Sequence, residues 1–174
     1  RIAGMPERRP RILLVTRNLP PLVGGMERLN WHIADELSRQ ADVRIVCPQG
    51  SAEQRPSKVV ISEVPLRPLW RFLLASAWQA RRVAQVWKPD IVLAGSGLTA
   101  PAALIAARAA NAQPCVYLHG LDAAVQHPVY RALWHPAIRS MHTVIANSHA
   151  TAQLAQALGV GAAQLQIVHP GVQM

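Results

Sequence analysis

The chain has 174 residues, about the length of one ordinary domain, and 51% of them are hydrophobic while 16% are charged. This composition excludes a disordered chain and predicts a single compact domain with a well-covered core.

The charge points to an acidic neighbour. Eighteen Lys and Arg against nine Asp and Glu give a formal net charge of +9, which favours a phosphorylated substrate, an anionic lipid surface or nucleic acid. The basic residues are scattered and form no tight run of the kind that binds nucleic acid, so we expect no nucleic-acid partner. No signal peptide is visible, and the longest apolar stretch, around 69–78, is too short to span a bilayer. These features predict a soluble or peripherally bound protein.

Strand-like apolar runs alternate with helix-like periodic runs along the chain. The predicted strands are residues 11–16, 43–47, 59–64, 91–94, 115–118, 143–146 and 165–169, and the predicted helices are 26–40, 69–88, 99–110 and 150–158. After residue 122, Pro128 and Pro136 predict an irregular segment. This alternation predicts the α/β class: one Rossmann-like domain with a mostly parallel sheet and helices on both faces.

The loop after the first strand is the first candidate for ligand binding, because open α/β sheets bind ligands beyond the carboxyl ends of their strands. It ends in Gly24 and Gly25 at the start of a helix, where backbone N–H groups and the helix dipole favour a phosphate. A flexible turn without a ligand is the alternative. A dinucleotide site is excluded, because the loop lacks Gly-x-Gly-x-x-Gly and the second strand ends without an acid for a ribose.

His119 directly follows the predicted strand 115–118 and therefore lies at the same edge of the sheet. It either contacts a substrate there or is a buried histidine bonded to a nearby carbonyl. The histidines and the two cysteines show no metal-ligand spacing, so we predict no metal site. Cys47 and Cys115 lie in apolar strands and are expected to be reduced, structural residues. Ser148 has helix-capping chemistry that explains it without a nucleophilic role.

The predicted helix at 69–88 combines tryptophans with arginines. Its apolar residues are expected near one side, with Arg71, Arg81, Arg82 and Lys88 available to others; these apolar residues are Trp70, Leu73, Leu74, Ala77, Ala84 and Trp87. Such a helix either lies on an anionic bilayer or packs on the sheet with a solvated basic face.

Five short segments follow one another in an order typical of a known family. They are residues 20–28 (PPLVGGMER), 88–92 (KPDIV), 119–122 (HGLD), 144–148 (VIANS) and 167–172 (IVHPGV). Through them the sequence resembles the N-terminal domain of the family-4, GT-B glycosyltransferases of bacterial envelope and glycolipid synthesis. The resemblance implies a retaining, metal-independent hexosyl transfer from a nucleotide-sugar donor to an envelope, polysaccharide or glycolipid acceptor. It also implies a cytoplasmic enzyme, soluble or peripheral on the inner face of the cytoplasmic membrane.

The resemblance assigns roles to individual residues. Backbone N–H groups of Gly24 and Gly25 would meet the donor phosphates when two domains close, His119 would contact the transferred sugar as the catalytic candidate, and Asn147 with Ser148 would line the donor cleft. Residues 1–10 are expected to be an N-terminal extension and 11–172 the acceptor-side domain. The donor-binding C-terminal domain is expected in the rest of a longer chain or on a partner chain. Residues 94–97 (AGSG) depart from the family pattern, which often has a histidine there, so the acceptor contacts stay unassigned.

Two other function classes remain open. A nucleotide-sugar epimerase of the same architecture would begin in this way, but it needs carboxylate acid–base residues, and the predicted strand ends offer only Asp122. A binding module for anionic lipid or nucleic acid would explain the charge. It would not explain why the glycine pair and His119 share one edge.

Overall fold

The computed structural model describes residues 8–120 and 127–169, and within these ranges seven strands form one sheet in which every pair is parallel. The strands are β1 (Arg11–Val15), β2 (Asp42–Pro48), β3 (Val60–Val64), β4 (Ile91–Ala94), β5 (Gln113–Leu118), β6 (Thr143–Ala146) and β7 (Leu165–Ile167). Their spatial order is β3-β2-β1-β4-β5-β6-β7. All seven predicted strands are confirmed within a few residues, as is the Rossmann-like α/β class.

Five α-helices connect these strands in the described ranges: α1 (Gly25–Gln40), α2 (Leu69–Trp87), α3 (Ala100–Ala110), α4 (Pro128–Arg139) and α5 (His149–Ala157). Short 3-10 turns occupy Ala52–Gln54 and Gly97–Thr99. No helix in the described part of the chain is long and apolar enough to cross a membrane.

The sequence predicted an irregular segment around Pro128 and Pro136, and this prediction is wrong because helix α4 spans both prolines. Pro128 occupies the first turn, where its missing N–H has no helical partner to lose. The His127 imidazole caps that turn by accepting from the Val129 N–H at 3.3 Å. Pro136 interrupts the hydrogen bonding near the other end, but Ile138 beyond it is completely buried. Burial in the core beside α3 therefore keeps the helix continuous through a residue that usually breaks one.

Alternating side chains of the strands supply two separate cores. Leu13 and Val15 of β1 belong to the cluster that receives α2, α3, α4 and α5, while Ile12 and Leu14 belong to the cluster that receives α1. This division follows from right-handed crossovers, since connections that run in opposite directions along a parallel sheet lie on opposite faces. The direction reverses between β1 and β4, and that reversal creates a crevice at the carboxyl ends of these two strands.

Asp90, within the segment 88–92, has a structural role. Its carboxylate accepts a hydrogen bond from the Arg11 backbone N–H at 2.8 Å and forms an ion pair with Arg8 at 2.8 Å. Burial alone would raise the pKa of this carboxyl, but the hydrogen bonds from Arg11 and Arg8 outweigh it and lower the pKa. Asp90 therefore ties the start of β4 to the start of β1.

Both cysteines are free thiols, as expected for structural residues. Cys47 is completely buried in the α1 side of the sheet, and desolvation raises its pKa to about 12. Burial also raises the pKa of the half-buried Cys115. Both groups stay protonated at neutral pH, which makes them poor nucleophiles and poor metal ligands.

Candidate functional site

Three consecutive strand ends meet at the crevice between β1 and β4. Thr16 follows β1, Gly95 follows β4 and His119 follows β5. The Gly95 N–H donates to the Val15 carbonyl at 3.0 Å, and the Gly95 carbonyl lies 3.3 Å from His119 Nε2. Gly95 is thus the link between the first strand of the sheet and the histidine that the sequence singled out.

His119 is held on two sides. It is 7% exposed, its Nε2 contacts the Gly95 carbonyl, and its ring lies 5.1 Å from the Tyr117 ring, centroid to centroid. The carbonyl contact is the one expected of a structural histidine, whereas the place at the carboxyl edge is the one expected of a substrate-binding histidine. The two roles are compatible, because a carbonyl that accepts from one ring nitrogen also fixes the orientation of the ring. The substrate contact of His119 stays a prediction.

Gly95 is enclosed so tightly that it has no room for a side chain. A Cβ built on it would overlap Asn30 Oδ1 and would lie 2.7 Å from Thr16 Oγ1 and 2.8 Å from Thr16 Cβ. Asn30 of α1 is 1% exposed and donates to the Met26 carbonyl at 3.0 Å, while its Oδ1 has no hydrogen-bond partner among the described residues. Thr16 and Asn30 are not among the site residues that the sequence predicted. The available signal was an amide on the sheet-facing stripe of an amphipathic helix.

The Gly24–Gly25 loop is held in place by polar contacts. The Asn18 N–H donates to Thr16 Oγ1 at 3.0 Å, and Asn18 Nδ2 donates to Glu27 Oε1 at 2.9 Å. A Cβ built on Gly24 would overlap the other oxygen of the Glu27 carboxylate. Side chains on both sides of the loop therefore fix the position of Gly24.

Gly25 is the more accessible glycine of the pair. It is exposed, it is the first residue of α1, and a Cβ added to it would meet nothing within 4 Å. Gly24 precedes it as the N-cap and has no side chain to occupy the first N–H groups of the helix. This helix N-terminus is consequently open to an anion on the side of Gly25, with the Glu27 carboxylate close by as the nearest competing negative charge.

Asn147 and Ser148 form the turn at the end of β6. Ser148 Oγ accepts the Thr151 N–H at 3.1 Å and caps α5, as the sequence predicted. Thr151 Oγ1 donates to Asn147 Oδ1 at 2.7 Å and lies 3.6 Å from the Cβ position of Gly120. The turn is therefore adjacent to the one that carries His119, although a donor contact by Asn147 or Ser148 stays a prediction. Asp122, the carboxylate weighed for an epimerase, lies outside the described residues.

A groove of about 790 Å³ runs along α1 beside these strand ends. Gly25, Arg28 and His32 line one side of it, and Tyr117, Val168 and His169 line the other. Tyr117 connects the groove to the site, since its ring contacts that of His119. In residues 8–120 and 127–169 no three His, Cys, Asp or Glu side chains are grouped so that they could hold a metal ion.

Solved structures of three proteins share this fold. Anabaena HepE in complex with UDP and glucose is 19% identical with a TM-score of 0.71 over 93% of this chain and 44% of its own. The lipopolysaccharide outer core galactosyltransferase WaaB, in its apo form, is 15% identical with a TM-score of 0.64 over 91% of this chain and 45% of its own. UDP-N-acetylglucosamine 2-epimerase from Rickettsia bellii is 14% identical with a TM-score of 0.71 over 94% of this chain and 45% of its own.

The chain thus spans less than half the length of each of these structures. Because a transferase and an epimerase match about equally well, the likeness establishes the fold and leaves the reaction open. No curated protein sequence matches the chain. The sequence model of Glycosyltransferase Family 4 matches residues 23–174, which include the glycine pair, His119 and the turn after β6, and the chain therefore belongs to glycosyltransferase family 4.

Proposed function

We propose that this chain is the acceptor-side domain of an enzyme that transfers a hexosyl group from a nucleotide-sugar donor to an envelope, polysaccharide or glycolipid acceptor. The proposal rests on one observation: the open N-terminus of α1 at Gly25 and the buried His119 lie at the same edge of the sheet, beyond the carboxyl ends of the strands. The direction of the strand connections reverses between β1, which precedes Gly25, and β4, which lies beside the strand that precedes His119. A nucleotide-sugar offers a diphosphate and a sugar that are joined by the bond to be broken. The first suits a helix N-terminus, and the second suits a fixed hydrogen-bonding ring.

The donor would lie with its phosphates toward the backbone N–H groups of Gly24 and Gly25 and its sugar toward His119. Negative charge grows on the leaving phosphate as the glycosidic bond breaks, and backbone dipoles that are already oriented stabilise this charge without reorganising. Asn147 and Ser148 would border the same cleft from the turn after β6. A nucleotide-sugar donor is supported by Anabaena HepE, since its solved structure contains UDP and glucose.

Retention of anomeric configuration and independence of a metal belong to the same proposal. Both can be measured on the longer enzyme that contains this domain. Transfer followed by NMR gives the configuration of the newly formed bond, and a chelator added to the assay leaves the rate unchanged if no metal takes part. An inverted product, or a rate that depends on a divalent ion, contradicts the corresponding part of the proposal.

The 174-residue chain on its own is expected to transfer no sugar. It spans 44% of HepE and 45% of WaaB, so a site built from two domains would lack the groups that the second one brings. The measurement is transfer or donor hydrolysis by the purified chain, with the longer enzyme assayed in parallel. Turnover by the chain at a rate comparable to that of the longer enzyme would contradict the requirement for a second domain.

The contribution of the glycine loop is tested at Gly25. Proline is tolerated at the first position of a helix, so Gly25→Pro removes one N–H while leaving α1 intact, and Gly25→Ala keeps the N–H and adds a methyl group in open space. If that N–H binds the donor diphosphate, Gly25→Pro weakens donor binding by about 10-fold or more, the value of one charge-assisted hydrogen bond. Calorimetry with the nucleotide-sugar measures the change in the longer enzyme.

Gly25→Ala is the matched control for this measurement and is expected to bind the donor normally. Unchanged donor affinity in both the Pro and the Ala variants would show that the Gly25 N–H does not contact the donor. A loss of affinity in both variants would point to steric exclusion instead.

The epimerase alternative predicts a different product. An epimerase would convert its nucleotide-sugar without any acceptor, whereas a transferase would release the nucleotide and form a new glycosidic bond. The match to a glycosyltransferase family over residues 23–174 favours the transferase.

We propose in addition that the enzyme works in the cytoplasm at the inner face of the membrane. The net charge of +9 supports this location, because that surface is anionic.

A further inference from the structure

Helix α2 presents large apolar side chains to the outside. Trp70 is 65% exposed, Leu74 66% and Trp78 57%, and their spacing of four residues places them along one stripe of the helix. The sequence predicts that the apolar residues of this helix lie near one side. The structure instead divides them. Phe72, Ala80 and Ala84 are buried in the core, and Trp87 packs against the same core. Trp70, Leu74 and Trp78 face outward.

Arginines surround this stripe without any acidic counterpart on the helix. Arg71, Arg81 and Arg82 are exposed, and the Arg82 guanidinium lies over the Trp78 ring at 4.7 Å from its centroid. No Asp or Glu occurs in the sequence between Glu63 and Asp90. The surface therefore combines exposed apolar area with unneutralised positive charge.

We propose that the outer face of α2, formed by Trp70, Arg71, Leu74, Trp78 and Arg82, binds an anionic lipid bilayer. An interfacial helix of this kind buries its apolar side chains at the boundary between headgroups and acyl chains, while its arginines stay at the anionic headgroups. Tryptophan suits this boundary, because its ring is apolar and its N–H is polar. Each arginine adds electrostatic attraction near a negatively charged surface.

Two other partners, a second copy of the chain and nucleic acid, fit this surface less well. Two copies of the chain would bring like-charged arginines together, which disfavours self-association through this face. Nucleic acid would neutralise the arginines, but phosphates alone would leave Trp70, Leu74 and Trp78 without an apolar environment. A bilayer that contains anionic lipid satisfies both parts of the surface.

If the proposed function holds, the position of α2 also indicates which class of acceptor the enzyme uses. Helix α2 follows the carboxyl end of β3, so its Trp70 end lies toward the edge of the sheet that carries Gly25 and His119. Docking through that end would bring the edge close to the bilayer. The acceptor class that fits this arrangement is a sugar carried by a membrane-anchored lipid.

The test is co-sedimentation of the 174-residue chain with vesicles in the absence of donor and acceptor, so that its result is independent of sugar transfer. Neutral phosphatidylcholine vesicles are compared with vesicles in which about a third of the lipid is phosphatidylglycerol. We expect binding to the anionic vesicles only, released as NaCl rises from about 0.05 to about 0.5 M. Trp70→Ala with Trp78→Ala is expected to lower partitioning at least about 10-fold. Arg71→Gln with Arg82→Gln is expected to lower it roughly 10- to 30-fold.

Matched control variants remove an apolar side chain or two positive charges from surfaces outside α2. Val60→Ala takes away an exposed apolar side chain on β3, and Arg55→Gln with Lys58→Gln removes two exposed positive charges from the loop before it. Both controls should bind anionic vesicles to within about twofold of the unchanged chain, and circular dichroism establishes that every variant is folded.

Three results overturn the docking proposal. They are equal binding to neutral and anionic vesicles, no binding to either, and equal losses in the controls and the α2 variants. Concentration-dependent self-association that the tryptophan substitutions abolish would assign the face to a second copy instead. None of these results bears on sugar transfer, and an inactive longer enzyme would leave the vesicle result unaffected.

Discussion

Replacing His119 by alanine is expected to lower the turnover of the longer enzyme about 100-fold or more, while weakening donor binding far less. The imidazole is 7% exposed, and a hydrogen bond made in such a site is stronger than one made in water. If His119 interacts most strongly when the bond to the leaving phosphate is breaking, its loss appears in turnover and only weakly in affinity. Steady-state transfer rates and calorimetric donor affinities measure the two effects separately.

A second variant, His119→Gln, distinguishes a direct role of His119 in the reaction from a structural role. Gln carries an amide N–H at about the reach of the imidazole Nε2, so His119→Gln can preserve the contact to the Gly95 carbonyl while removing the imidazole. A Gln variant with normal thermal stability and low turnover would support a direct role toward the sugar. Near-normal turnover in either variant, or a loss of stability as the only defect, would make His119 a structural residue.

The arrangement of the strand ends was predictable from the sequence because its cause is local. Apolar runs that end in Gly, His or Asn predict both the strands and the residues that follow them. The parallel sheet then places all those residues at one edge. The location of His119 and of the Gly24–Gly25 pair at this edge was therefore predictable without any knowledge of contacts. These residues share one edge because all the strands of the sheet are parallel.

Packing between elements was not predictable in the same way. Asn30 faces Gly95 across 65 positions of sequence, and only the assembled sheet brings the two together. The separation of Trp70 from Ala84, which the sequence predicted near the same side of α2, has a related reason. Hydrophobicity alone does not tell which of two apolar stripes is buried, and here the smaller Ala80 and Ala84 are the ones completely buried in the core.

Helix α4 shows how burial overrides a local signal. Pro136 disfavours a helix by its own chemistry, so a prediction from sequence ends the helix or omits it. Ala137 and Ile138 are nevertheless buried in the core beside α3, and that gain comes from residues distant in sequence. Propensity is a weak guide wherever tertiary burial opposes it.

Gly95→Ala is expected to destabilise the domain and to reduce transfer at the same time. The added Cβ would overlap Asn30 Oδ1 and crowd Thr16, and neither neighbour has room to retreat because both are buried. Overpacking of this kind typically costs about 1–3 kcal/mol in the free energy of unfolding. It would also displace the Gly95 carbonyl from His119 Nε2. Denaturant unfolding of the 174-residue chain gives the first effect, and transfer by the longer enzyme gives the second.

Gly25→Ala provides the comparison for Gly95→Ala, since the same methyl group there enters open space and should leave stability within about 0.5 kcal/mol of the unchanged chain. Adding Asn30→Ala to Gly95→Ala removes one of the two obstructing side chains and should recover part of the lost stability, a coupling that residues in contact show and distant ones do not. Equal stabilities for the two single glycine variants would mean that the crevice relaxes around Gly95. A destabilised Gly95→Ala variant with normal transfer would show that the Gly95 carbonyl does not position His119.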